Sequence, residues 1–483
     1  MNTKHMSKRE ESMSKHLQVP VWVMAIGMSV TLIGGGVVGY MTHDAATARQ
    51  TTTGVPSELK QVVSTYDTIR SNYYQKTSDK KLAAGAINGM LESLGDPYSV
   101  YLANTDKSSL DSTISASFGG IGATIEQTGK TLHIQSILPD TPAKHAGLRV
   151  GDQLIAVNGK DVASMTVDKA VAKIRGKIGT QVKVTVKRQG TRHTYTMKRA
   201  KITTDTVTGA LSKQNRHVGI ITMATFSEPT ATQFEKTVKQ LRKKGATSFV
   251  LDLRGNPGGM LDSALAIASM CLKDGQTIVK VQNRAGSTQV YKAGKTYDKG
   301  FKVKEPLSIL IDGNSASASE ILSAALNENR AVPLVGEQSF GKGTVQNVAS
   351  LNSQAEIKLT VAKWLTPKNH WINHKGLTPT VKVAYPAYAK ISGIGASNLK
   401  PEQTGTDVKA MQQMLAALGF NPGTVNGYYS ADTVSAVKAF QEKHGLNATG
   451  TADDTTLTTL MQALSAKFTA DDPQLKAAVK AAK

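Results

Sequence analysis

Residues 19–41 form a run of 23 positions without a single charged side chain. A helix of about 20 predominantly apolar residues crosses a bilayer, so this run is long enough to span one. Lys4, Lys8, Arg9 and Lys15 precede it and few basic residues follow closely. That bias keeps the N-terminus in the cytoplasm and sends the remainder outside. The competing reading is a signal peptide cut near Ala45–Ala48. The run exceeds the about 7–15 apolar residues of such a segment, which favours a retained anchor. The chain then divides into a cytoplasmic tail (1–18), a transmembrane helix (19–41), a polar linker (42–56) and a large external part.

The external part is long enough for several domains. Apolar residues make up 40% of the chain, enough for cores, and a single cysteine, Cys271, excludes internal disulfides. Cys271 sits in an apolar helical run and reads as a small buried hydrophobe. Between 201 and 388 short apolar strands (218–223, 248–253, 277–281, 307–311, 332–335) alternate with amphipathic helices, which predicts an α/β core. Two stretches in it carry chemistry. The first, N-S-A-S-A-S-E-I-L from Asn314, reads as a turn leading from a strand into a helix that starts near Ser317. A hydroxyl there can be a nucleophile, because free N–H groups and the dipole stabilise an oxyanion. It can equally be an N-cap, since Glu320 three residues on completes a capping box. The second stretch, F-G-K-G-T-V-Q, places Lys342 between two glycines, with Gln346 four residues on along an extended segment. A lysine acting as general base must be buried, because desolvation lowers its pKa. The residues alone do not choose among Ser315, Ser317 and Ser319.

Together S-A-S-A-S-E-I and F-G-K-G-T-V-Q resemble the carboxy-terminal processing (tail-specific) proteases, a serine–lysine family. The resemblance runs from about residue 57 to 383. It implies Ser317 as nucleophile, Lys342 as base and Gln346 as its support. The R-G-N-P-G-G turn, 254–259, lies beside the nucleophile in that family. It would supply part of an oxyanion hole through Gly258 or Gly259, with the N–H of Ala318 as second donor.

Residues 57–117 read as helices, with Leu59, Val62, Val63, Tyr66 and Ile69 at helical spacing. At 118–122 F-G-G-I-G enters a strand, and successive N–H groups there can form a nest for a carboxylate. P-A-K-H-A-G-L-R-V-G-D-Q-L-I-A-V-N-G (142–159) closely resembles a PDZ core. Residues 118–200 are therefore expected to form a PDZ domain inserted in the protease. Its groove would take a free C-terminus, with Phe118, Gly120, Ile121 and Gly122 around the terminal carboxylate and a preference for apolar ends. Residues 389–404 read as a Gly/Ser linker. Residues 405–465 resemble the three-helix peptidoglycan-binding module of cell-wall enzymes, and 466–483 read as a loose basic tail. The overall fold expectation is multidomain, α/β and α+β.

The chain carries +22, yet residues from Pro401 onward hold 7 Lys/Arg against 8 Asp/Glu, so the first 400 carry +23. No nucleic-acid fold accompanies the basic surface, and anionic wall polymers or lipid headgroups are its expected partners. No cofactor is expected. His370 and His374 are four apart, but N-H-W-I-N-H-K-G offers neither a glutamate base nor a third ligand, so no metal is expected either. A serine–histidine triad using one of them is the rival mechanism. The rival functions are a non-catalytic PDZ and wall-binding scaffold and a peptidoglycan hydrolase. A homodimer is among the oligomers considered. The leading expectation is a membrane-anchored external serine endopeptidase with protein or peptide substrates and a hold on peptidoglycan.

Overall fold

The computed structural model describes residues 56–482 apart from 104, 129–130 and 353–354. The transmembrane expectation at 19–41 lies outside the described residues. Among those described, no helix is long and apolar enough to cross a membrane.

The largest unit is built on a mixed sheet with strand order Val207–Leu211, Val218–Met223, Ser248–Asp252, Leu307–Ile311, Leu334–Gly336 and Val381–Lys382. All neighbours are parallel except the first pair. Ser248–Asp252 and Leu307–Ile311 are buried at every position, which is why they read as continuous apolar runs rather than alternating ones. One face is covered by the helices Thr230–Lys243, Leu261–Cys271 and Ala318–Arg330, whose apolar residues share the main core with Phe249, Leu251 and Ile309. Cys271 is buried in that core.

A second, antiparallel sheet carries the lysine segment. Thr344–Asn352 pairs with Ala355–Leu365, which also pairs with Val100–Ala103 from before the 118–200 unit. The chain thus enters this α/β unit, leaves it, and returns. It leaves and returns side by side, as Ser117–Gly120 pairs antiparallel with Ala200–Thr203. Between them lies a sheet with order Ala123–Thr128, Thr131–Ile137, Gln153–Val157, Gln181–Arg188 and Thr191–Lys198, closed over a separate core by the helix Val167–Ile174.

The C-terminal module packs the helices Thr406–Ala417, Ala431–Lys443 and Asp454–Ala470 around Met411, Leu415, Phe440 and Leu457. Two sequence expectations fail here. The stretch 389–404 is no free linker: Ile391, Ile394 and Ala396 pack on the module, and Leu399 is buried in the pairing of Asn398–Leu399 with Ala452–Asp453. Nor is 466–483 a loose tail. The helix Asp454–Ala470 runs on into it, and a last helix, Pro473–Ala481, returns to the open face of the six-stranded mixed sheet. There Ala478, Val479 and Ala482 meet Val218, Val250, Leu310 and Val335. The sequence hides this because the charged positions Lys476 and Lys480 alternate with the small apolar face that the sheet needs.

Candidate active site

Ser317 stands at the junction of a buried strand and a buried helix. Its backbone has φ 55° and ψ −113°, a conformation a non-glycine residue rarely adopts and one that costs on the order of 1–3 kcal/mol. The turn is held by hydroxyls on either side. Ser315 Oγ donates to Leu253 O at 2.8 Å, and Ser319 Oγ donates to Asn256 O at 2.9 Å. Those two serines therefore stitch the Ser317 turn to the 254–259 loop. The Ser317 side chain accepts the backbone N–H of Glu320 as the helix cap.

Glu320 joins the serine segment to the lysine segment. One oxygen, Oε2, accepts the N–H of Ser317 at 2.8 Å and the N–H of Lys342 at 2.9 Å. The other accepts Ser339 Oγ at 2.6 Å and Gly341 N–H at 2.7 Å. Burial pushes the Glu320 carboxyl up, and these four donors oppose the shift.

Lys342 is 1% exposed. Burial brings its ammonium down to about 7; Lys358 adds to the shift, and Asp96 and Glu320 oppose it. Its Nζ lies 4.5 Å from the centre of the Tyr98 ring. Tyr98 belongs to a turn fixed by Asp96, which accepts Tyr98 N–H and Ser99 Oγ. Gln346 is fully buried on the strand Thr344–Asn352, which starts two residues after Lys342; its Nε2 donates to Thr344 and Thr360, and its Oε1 has no hydrogen-bond partner. A buried orphan acceptor beside a lysine strand can receive an amine proton.

The loop before the helix Leu261–Cys271 closes the other side. A Cβ at Gly258 (φ +100°) would lie 2.6 Å from Ala316 O and 2.9 Å from both Ser317 Cβ and Ala318 N. Only glycine lets the loop come this close. Gly258 N–H donates to Asn256 Oδ1 at 2.9 Å, so in this arrangement it is engaged within the loop. At Gly259 (φ +144°) a Cβ would meet Phe226 O at 2.0 Å. The Ala318 N–H is among the first-turn donors that a helix leaves without an intrahelical acceptor.

Phe118 and Gly120 lie in the strand that joins the PDZ unit to the protease. The Arg175 guanidinium sits 4.0 Å over the Phe118 ring. Ile121 is 2% exposed and its side chain belongs to the PDZ core. Its side chain faces inward, so toward a bound C-terminus it offers only backbone. Gly122 (φ +80°) packs against Thr141. A cleft of about 1160 Å³ runs from Phe118, Val171 and Arg175 past Ser112 to Thr225 and Pro257. It connects the PDZ mouth to the Gly258 loop.

The histidines lie elsewhere in role. His370 Nδ1 pairs with Glu328 at 3.0 Å on an exposed edge, while His374 meets the lysine loop through its backbone N–H to Gly341 O. Among the described residues no three His, Cys, Asp or Glu gather as a metal site. Sequence reasoning missed Tyr98, Asp96 and Lys358 around the lysine, and it saw Glu320 only as a cap. A buried-looking lysine on the strand 355–365 was the one available signal for Lys358.

Residues 217–383 match peptidase family S41, 111–187 a PDZ domain, 404–460 a putative peptidoglycan binding domain and 32–106 the N-terminal domain of activating protease CtpB. The chain is 43% identical over 429 residues to carboxy-terminal processing protease CtpA of Bacillus subtilis (strain 168), covering 88% of this chain and 91% of that protein. It is 38% identical over 428 residues to carboxy-terminal processing protease CtpB of the same organism, covering 87% and 88%. A photosystem II D1 C-terminal processing protease structure aligns at 26% identity with a TM-score of 0.41, over 68% of this chain and 94% of that one. The identity to the two Bacillus proteases, over nearly the whole of each, carries the conclusion that this chain belongs to the carboxy-terminal processing proteases, serine-type peptidases of family S41.

Proposed function

We propose that the protein is a membrane-anchored external endopeptidase that cuts with a Ser317–Lys342 dyad and selects substrates by their C-termini. The observation that carries the dyad is the shared Glu320 oxygen, which fixes the backbone of Ser317 and Lys342 to one atom while Lys342 is buried. Neutral Lys342 takes the Ser317 proton as the hydroxyl attacks the scissile carbonyl, and later helps activate water. Gln346 Oε1 receives an amine N–H and orients Lys342. The developing oxyanion lies on the Ala318 N–H and on Gly259 or Gly258 of the facing loop, the latter after release from Asn256. The test is incubation of the ectodomain, wild type and Ser317→Ala, with unfolded protein and with wall fragments. Cleavage of protein by the wild type alone supports the peptidase. Wall fragments as the only substrate favour a peptidoglycan hydrolase, and no cleavage of either favours a scaffold.

A base whose ammonium titrates near 7 gives kcat/KM an acid limb there, with activity rising as pH rises. Removing the Lys358 charge stabilises the Lys342 ammonium, so Lys358→Met moves that limb to higher pH. A pH–rate profile that stays put in this variant would refute the electrostatic link.

The cleft between the PDZ mouth and Pro257 supports gating by the substrate's tail. A peptide bound there shifts the protease only if it prefers the active arrangement. Its carboxylate is read by N–H groups near Gly120 and Gly122. Amidating the C-terminus, or ending it in Asp-Asp, is expected to slow cleavage severalfold without moving the scission sites. Equal rates for free, amidated and acidic tails on one protein substrate would remove the groove from the mechanism.

The 404–460 match supports peptidoglycan as a partner. Deleting the module should abolish co-sedimentation with purified sacculi. The helices Ser57–Asn72 and Asp79–Glu92 leave Val62, Val63, Ile69 and Tyr73 exposed along one groove, which supports a homodimer formed there. Sedimentation of the ectodomain with Val63→Glu tests it. The uncharged run at 19–41 supports the membrane anchor, which carbonate extraction of the full chain tests.

A further inference from the structure

The last helix, Pro473–Ala481, follows the wall module in sequence but is built into the protease. Its N-cap, Asp472, is 6% exposed and accepts Leu475 N–H through Oδ1 at 2.9 Å. The other oxygen, Oδ2, pairs with Arg254 Nη1 at 2.8 Å. Arg254 also grips Asp252 with two nitrogens, at 2.9 and 2.7 Å, and reaches Gln474 Oε1 at 3.2 Å. The helix is fixed further by Ser308 Oγ donating to Ala478 O and by Gln474 Nε2 donating to Val383 O.

Arg254 is the first residue of the loop that ends at Gly258 and Gly259. The next residue, Gly255, gives its N–H to Asp312 Oδ1 at 3.0 Å. Asp312 takes Tyr385 OH on its other oxygen at 3.1 Å, and the Tyr385 ring lies 5.7 Å from Phe468 of the helix Asp454–Ala470. One polar tie from the C-terminal helix therefore meets Arg254, and a ring contact from Phe468 reaches Gly255 through Tyr385 and Asp312. One more residue along, Asn256 accepts Ala316 N–H and Ser319 Oγ from the nucleophile turn.

We infer that the C-terminal helix is a strut of the catalytic loop, with Asp472 and Arg254 as positioning residues for the donors that face Ser317. This rests on the reading of 254–259 as the oxyanion loop. A buried ion pair at the root of a loop fixes the direction in which its N–H groups point, and small misplacements of such groups carry large rate penalties. The module between 404 and 460 is then tied to the catalytic unit at both ends.

The test uses the whole ectodomain. Asp472→Asn keeps an oxygen for Leu475 N–H, and asparagine caps helices as well as aspartate does, so this variant removes the ion pair and spares the cap. It should lower kcat about tenfold at unchanged KM, and raise amide hydrogen exchange at 255–259. Arg254→Met combined with Asp472→Asn should lose no more than Arg254→Met alone. Val479→Ala, on the same helix but away from Arg254, should lower Tm and leave kcat of the folded enzyme unchanged. An Asp472→Asn enzyme with wild-type kcat, or one slowed without any change in exchange at 255–259, would overturn the inference. A Ser317→Ala enzyme that still cleaves would instead sink the reading of 254–259 as the oxyanion loop beside Ser317, on which the inference rests.

Discussion

Ser317→Ala removes peptide cleavage, lowering kcat/KM by at least about 10³-fold, while Ser315→Ala and Ser319→Ala keep most of it. The expectation follows from where the three hydroxyls go. Ser315 and Ser319 each donate to a carbonyl of the neighbouring loop, and Ser315 Oγ also accepts the Asp312 N–H, so their loss removes buried hydrogen bonds worth about 1 kcal/mol each and is read in Tm. Ser317 occupies the strained position next to Gly258 and shares its anchoring oxygen with Lys342. Lys342→Met should match Ser317→Ala, and the double variant should lose no more than either, because residues acting as one unit are not additive. Lys342 also leaves a stability signature. Its proton leaves near 7 in the folded chain but only near 10.5 in the unfolded one. Between those values the unfolded state binds the extra proton, so wild-type stability rises with pH across that window. In Lys342→Met that part of the rise disappears. A Ser317→Ala enzyme with wild-type kcat/KM on one defined peptide would end the assignment.

The α/β core was legible because its strands are buried on both faces and read as apolar runs; the strand Leu307–Ile311 falls where the pattern put it. Both segments that hold Ser317 and Lys342 stood out by their glycines and small residues. What converges on them from elsewhere did not. Tyr98 comes from a turn 244 residues before Lys342, and nothing in its local pattern says that a strand from 355–365 will draw it beneath the ammonium. Glu320 matched a capping box, and the cap accounts for just one of its four donors. The C-terminal helix was read as loose because a short run of alanines and lysines has little apolar area of its own. Its partner surface is supplied by Val218, Val250, Leu310 and Val335, far away in sequence.

Glu320→Ala should be the most damaging substitution outside the dyad. It strips the acceptor from three backbone N–H groups and one hydroxyl, all buried. Each buried donor left unpaired costs about 1–3 kcal/mol, and the sum approaches the whole stability of an ordinary domain. The loss need not unfold the protein, since the 339–343 segment can swing away and regain water. Either way Lys342 leaves Ser317, so activity falls by at least about 10³-fold and Tm by about 8 °C or more. Glu320→Gln separates the two halves of the contact. An amide oxygen in place of Oε2 still accepts Ser317 N–H and Lys342 N–H, whereas its NH₂ then faces the Gly341 N–H that Oε1 had accepted. Ser339 cannot fully compensate, because its oxygen already accepts Leu377 N–H at 2.6 Å. The glutamine variant should therefore retain measurable activity, roughly tenfold below wild type, with a smaller drop in Tm. Activity and melting temperature are read on the same preparations, with active sites counted by single-turnover burst. An alanine variant that keeps its Tm and cleaves within twofold of wild type would mean that Ser317 and Lys342 are held together by something other than this carboxylate.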